Sequence, residues 1–274
     1  GTTTRVSVDS SGAQANSEST DPSISADGRY AAFKSFANNL VPADTNNSAD
    51  IFVHDLQGGS TTRISVDSSG AEGNRLCQLP SVSADGRFVA FESAATNLVA
   101  GDTNGSADIF VHDRQSSSTT RVSVGASGSQ ANGVSTRPRI SDDGGFVSFE
   151  SLATDLVPGD SNGVSDIYVH DRQLSTTIRV SVDSAGMQGN DSSYDGSISG
   201  DGRYTAFLSE ADDLVGGDTN STIDAFLHDS CGSIGIKYCI ATANSTGSPA
   251  DIRALCSAST ADGSLTLVSA PVPN

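Results

Sequence analysis

Asp102-Thr-Asn-Gly-Ser-Ala-Asp-Ile-Phe-Val-His-Asp113 joins an acidic, amide-rich loop to a short apolar strand. It recurs as Asp44-Thr-Asn-Asn-Ser-Ala-Asp-Ile-Phe-Val-His-Asp55, Asp160-Ser-Asn-Gly-Val-Ser-Asp-Ile-Tyr-Val-His-Asp171 and Asp218-Thr-Asn-Ser-Thr-Ile-Asp-Ala-Phe-Leu-His-Asp229. The leading aspartates stand at 44, 102, 160 and 218, so every step is 58 residues without slippage. Such a period marks one supersecondary unit that cannot cover its own faces and must stack on its neighbours.

Outward from that stretch, each unit carries four strand signals. Thr3-Thr-Arg-Val-Ser-Val8, repeated from Thr61, Thr119 and Thr177, alternates apolar and polar residues, as a half-exposed strand does. Glycines 12, 70, 128 and 186 and asparagines 16, 74, 132 and 190 follow in register. The stretches 17–21, 75–79, 133–137 and 191–195 then differ completely between units, which predicts surface loops. A short strand of small residues, such as Pro22-Ser-Ile-Ser25, leads into Asp27-Gly28 and its equivalents at 85, 143 and 201. Asp-Gly is a strong hairpin signal. The strands it launches (Tyr30-Ala-Ala-Phe33, Phe88-Val-Ala-Phe91, Phe146-Val-Ser-Phe149, Tyr204-Thr-Ala-Phe207) are apolar on both faces, as strands packed on both sides require.

These signals predict an all-β chain: a four-bladed β-propeller of 58-residue repeats with a short C-terminal β tail. The propeller covers 1–233, as repeats of about 2–60, 61–118, 119–176 and 177–233, and the tail covers 234–274. The tail carries an Asp262-Gly263 turn between two strand-like runs. Two segments compete to complete the last blade: the N-terminal strand, or residues 234–240, where Lys237 is in phase with Arg179. The surplus strand would be a free edge open to pairing with another molecule.

The Ser-x-Asp-Gly-Arg-(Tyr/Phe)-x-Ala-Phe and Asp-Ile-Phe-Val-His-Asp motifs resemble the TolB-like, WD-repeat-like propellers of secreted bacterial proteins, over residues 2–230. The resemblance implies the fold; that fold carries binders, scaffolds and enzymes alike.

Fifteen basic residues against 33 acidic ones give a net charge of -18. That argues against nucleic-acid and anionic-membrane partners, whose phosphates need positive charge, and no apolar run reaches membrane-span length. A chain beginning at Gly1 is expected to have lost a leader or to be a processed fragment. Cys77, Cys231, Cys239 and Cys256 form an even set without zinc spacing. Together with the Lys-poor composition they predict an oxidising, extracellular setting with disulfides in one of three pairings; reduced buried thiols are the alternative.

The acidic loops offer oxygen donors at positions one, three, five and seven: Asp44, Asn46, Ser48, Asp50; Asp102, Asn104, Ser106, Asp108; Asp160, Asn162, Asp166; Asp218, Asn220, Thr222, Asp224. Hard oxygens at this spacing suit Ca2+, and the loops resemble the Asp-x-Asn-Gly calcium loops of secreted modules. Val164 replaces the fifth-position oxygen and no late Glu follows, so the affinity expected is weak, on the order of 10⁻⁴ to 10⁻³ M. Asx-turns that merely cap the loop are the alternative.

His54, His112, His170 and His228 are fourfold equivalent, each before an aspartate. Catalytic groups converge asymmetrically at one place, so these read as structural, and no catalytic motif is present. Arg5, Arg63, Arg121 and Arg179 are expected to pair with acids between blades. Sequons stand at Asn46, Asn104, Asn190, Asn220 and Asn244. The expectation is a non-enzymatic extracellular structural or interaction protein, calcium-stabilised, assembling as a homo-oligomer or filament through the surplus strand or tail. Alternatives are a monomeric module binding a glycan or peptide on the variable loops, where Tyr194 is the one aromatic, and a propeller hydrolase or lyase.

Overall fold

The computed structural model describes residues 1–230. The tail 234–274, the segment 234–240, Cys231, Cys239, Cys256 and Asn244 lie outside the described residues. Within them the chain forms strands and no helix, hence no helix long and apolar enough to cross a membrane. The first sheet runs β1 (Ser19–Ile24), β2 (Tyr30–Ser35), β3 (Asp50–Asp55) and β4 (Thr61–Arg63), each strand antiparallel to the next. The second repeats this with β5 (Cys77–Val82), β6 (Phe88–Ser93), β7 (Asp108–Asp113) and β8 (Ser118–Arg121). The third uses β9 (Ser135–Ile140), β10 (Phe146–Ser151), β11 (Asp166–Asp171) and β12 (Thr176–Arg179). The fourth has three described strands, β13 (Ser193–Ile198), β14 (Tyr204–Ser209) and β15 (Asp224–Asp229).

The sheets succeed one another as propeller blades. The first strand of each blade packs on the first two strands of the blade before it, β5 on β1 and β2, β9 on β5 and β6, β13 on β9 and β10. The first strands therefore line the inside of the arc and β4, β8 and β12 its outside. The blade-to-blade seams are the core. Val53 and Ala32 of the first blade meet Val82, Val89 and Phe91 of the second, and the same pattern recurs at the next two seams. In each blade the rings of the second and third strands stack, as Phe91 and Phe110 do at 5.9 Å.

Three features differ from the sequence reading. The variable stretches end inside the first strands, which begin at Ser19, Cys77, Ser135 and Ser193 rather than at the Pro-Ser pairs. A bulge absorbs the variability: the register slips between Thr20 and Ser23, where Asp21 takes φ 52°, and Leu79, Arg137 and Asp195 are its counterparts. The outer strands are shorter than the six-residue alternation suggests. After Arg63 the Ile64 N–H makes one more bond, to the Ile51 carbonyl, and the Ser65 hydroxyl then takes over by accepting from the Ile51 N–H. Residues 1–7 form no strand; Val8 only bridges Gln14.

Cys77 corrects the disulfide expectation for its own position. It is a free, fully buried thiol in the seam between the first two blades, 3.1 Å from the Ser93 hydroxyl. Burial pushes its pKa up to about 12, so it packs as a small apolar group and stays a thiol.

Candidate functional site

Each blade carries two polar clusters, at opposite ends of its third strand. At the start of β3, Asp50 is fully buried. Its Oδ1 accepts from Ser65 Oγ at 2.5 Å and its Oδ2 accepts from Asn46 Nδ2 at 3.0 Å. Arg63 reaches in from β4, with Nη1 3.4 Å from Asp50, 4.0 Å from Asp44 and paired to Glu72. The oxygens of Asp44, Asp50 and Glu72 lie within 4.8 Å of one another. Burial raises the Asp50 pKa to about 6, against the lowering by Ser65 and Arg63, and raises that of Asp44.

Asp44, Asn46 and Asp50 of the first predicted calcium loop thus lie close together, in company the sequence reading missed. Asn46 Oδ1 accepts from the Ser48 N–H in an Asx-turn, the alternative weighed for these loops. Its amide donates to Asp50 and to the Gly73 carbonyl. The second corner gathers Asp102 and Asp108 around Arg121, and the third Asp160 and Asp166 around Arg179. There Gln130 and Gln188 replace Glu72, each donating to both aspartates. Asn104 and Asn162 turn the loop through the N–H groups of Ser106 and Val164. In the fourth corner Thr222 donates to Asn220, whose amide stands 3.3 Å from Asp224, and Asp218 begins the loop. An ion entering the first three corners would compete with a guanidinium. The arginines do pair with acids, but mostly in their own blade; Arg5 instead bonds Gln14.

At the other end of the third strand stand the His-Asp pairs. His54, His112 and His170 place Nδ1 2.9, 2.9 and 3.0 Å from Thr61, Thr119 and Thr177 Oγ1. Each threonine spends its one hydroxyl proton on a carbonyl, of Val8, Val66 or Val124. The threonine oxygen must then accept, so the proton on each imidazole sits on Nδ1. Burial lowers the pKa of His112 and His228, and that of His170 to about 4. His54, His112 and His170 prop the loop that crosses from the outer strand.

The aspartate after each histidine has a partner the sequence reading did not find. Arg29 grips Asp55 with Nε and Nη2 at 2.9 and 2.7 Å, Arg87 grips Asp113, and Arg203 grips Asp229. Hydrogen bonds from these arginines hold the carboxyls of Asp55 and Asp113 well below the usual range. The signal was present: the third unit has Gly145 after Asp143-Gly144 where the others have arginine. Asp171 there is capped by the N–H groups of Gln173 and Leu174.

A cleft of about 310 Å³ lies along the first strands, lined by Pro22, Ser23, Leu79, Pro80 and Arg139 among others. The histidines and acidic corners do not line it.

No protein-family model matches the chain, and no curated protein matches it by sequence. Among solved structures it is similar to TolB from Acinetobacter baumannii, at 19% identity and TM-score 0.47 over 78% of this chain and 41% of that one. The putative TolB from Agrobacterium tumefaciens is 20% identical, with TM-score 0.47 over 76% of this chain and 60% of that one. An oligogalacturonate lyase in complex with manganese is 14% identical, with TM-score 0.43 over 74% and 51%. The chain spans between 41% and 60% of the length of these three proteins.

Proposed function

We propose that this is a non-enzymatic structural or interaction protein of the cell exterior. The observation that carries the reading is how the reactive-looking groups are employed. In the first three blades each histidine holds a threonine, each buried aspartate of the acidic corner holds an arginine and a serine, and these partners recur with the repeat. A group tied down three times over in equivalent places stabilises blades; a reaction centre needs different groups at one place. Net charge of -18 suits a soluble surface and cations. Calcium stabilisation belongs to the same proposal, at the corner where Asp44, Asp50 and Glu72 converge.

The test replaces two histidines together, H112Q/H170Q. We expect a lower melting temperature and no loss of any turnover of peptide or uronate oligomers, because the wild type has none to lose. Turnover by the wild type that the folded double variant lacks would overturn the reading. A binding module for a glycan or peptide is the second reading. The cleft along the first strands favours it, being of ligand-pocket size and reached by Asp21 and Leu79 from the stretches that vary between units.

A further inference from the structure

The three seams between blades are built from the same complementary pieces, and among the described residues the two end blades each keep one half of that set unused. At every seam a backbone N–H of one blade donates to a carbonyl of the next: Ala26 to Ala84 at 3.0 Å, Ala84 to Asp142 at 3.0 Å, Asp142 to Gly200 at 2.9 Å. The series leaves the Ala26 carbonyl at one end and the Gly200 N–H at the other.

A ring enters a glycine socket in the same direction. A Cβ on Gly86, Gly144 or Gly202 would lie 2.0 to 2.2 Å from the ring of Tyr30, Phe88 or Phe146 in the blade before. These glycines also take φ of 71–76°, so both space and backbone demand glycine. Gly28 has the same conformation, and nothing lies within 4 Å of its Cβ position. Tyr204 is the ring left over.

Apolar exposure follows the same rule. Val53, Val111 and Val169 are at most 1% exposed, but Leu227, their counterpart in the fourth blade, is 67% exposed. Val82 and Ile140 are 8% and 9% exposed, but Ile24 in the first blade is 61% exposed. Large apolar side chains laid bare on a face that is covered three times elsewhere mark a joint awaiting its partner.

We propose that the Tyr204–Leu227 face of the fourth blade docks on the Ile24–Gly28 face of the first blade of a second copy, remaking the internal seam between chains. This rests on the structural-protein reading above. Donor meets acceptor, ring meets socket and leucine meets isoleucine, each in the orientation already used three times within the chain. Joints between unlike faces close a ring or run on as a filament. Propellers hold up to about eight blades, a number that two copies with four blades apiece reach and three exceed.

The experiment is sedimentation velocity on the full chain at about 100 µM, well above a micromolar dissociation constant, with the variants I24D and L227D. Both positions are exposed, so folding should survive, and matching melting curves verify it. We expect the wild type at twice 27.8 kDa, each variant as a monomer, and a one-to-one mixture of the two variants as dimer again. The mixture pairs the intact fourth-blade face of I24D with the intact first-blade face of L227D, which only a head-to-tail joint permits. A monomeric wild type, variants that associate like the wild type, or a mixture that stays monomeric each overturns the joint. None of these results bears on the turnover assay, so the joint and the non-enzymatic reading fail separately.

Discussion

The two ends of the third strand use the same residue types and drive their carboxyls in opposite directions. At the hairpin end, Asp55 and Asp113 each face one arginine in a two-pronged grip, and their pKa values fall. At the corner end, Asp50 and Asp108 are buried with a second carboxylate beside them, and burial raises theirs. The difference is stoichiometry and water. One charge against one at a partly open site favours ionisation, whereas two or three carboxylates sharing one guanidinium under the sheet do not. The hairpin end acts as a clasp and the corner holds surplus negative charge in check.

The largest effect should come from removing that check. R63A leaves Asp44, Asp50 and Glu72 without their shared cation, and stranding buried charge costs about 3 kcal/mol or more, read from urea unfolding at pH 7.5. The loss should shrink at pH 5. Asp50 has a folded pKa of about 6 against a reference of 3.8, so the folded state holds the extra proton between those values. Its contribution is greatest below pH 3.8 and is lost as pH rises through 6. Without Arg63 that ionisation becomes harder still, so R63A should lose stability more steeply than the wild type between pH 5 and 7.5. Equal losses at the two pH values would show that the arginine is not what tempers the corner.

The next effect sharpens the clasp. Asp113 accepts from Arg87 at 2.9 and 2.8 Å as well as from Gln115 and Ser116. Asp171 occupies the same place opposite Gly145 and accepts from two backbone N–H groups. D113A should cost about 2 kcal/mol and D171A about half of that, compared by thermal unfolding. A D171A loss as large as that of D113A would place the stabilisation in the backbone caps.

What was legible in the sequence follows from distance along the chain. The 58-residue period, the Asp-Gly hairpins and the two-faced middle strands are local patterns, and the structure keeps them. The grip of Arg29 on Asp55 joins residues 26 apart, and Glu72 reaches a corner whose aspartates belong to the unit before. Such pairs cannot be read from one unit; they show only where units disagree, as at Gly145 and at Glu72 against Gln130. The leading residues of the bulged first strands read as loops because a bulge tolerates any residue able to hold positive φ locally, which erases the alternation that marks a strand. The free ends were hidden for a different reason. Repetition makes every unit look alike, although Leu227 and Ile24 stand exposed among the described residues where their counterparts are buried.

The smallest effect tests the corner where the units differ. Glu72 gives the first corner a third carboxylate, while Gln130 and Gln188 give the others an amide that donates to both aspartates. E72Q therefore converts the first corner into the kind already present twice, trading an ion pair with Arg63 for hydrogen bonds to Asp44 and Asp50. The two should nearly cancel, leaving stability within about 0.5 kcal/mol of the wild type. Calcium separates what stability does not. An ion that exchanges with the guanidinium needs negative oxygens in number, so the first corner should be the strongest of the three. Calcium on the order of 10⁻³ M, the range of extracellular modules, should then raise the melting temperature of the wild type and raise that of E72Q less. An equal rise would move the ion away from Glu72. No rise in either would leave Arg63 as the only cation this corner holds.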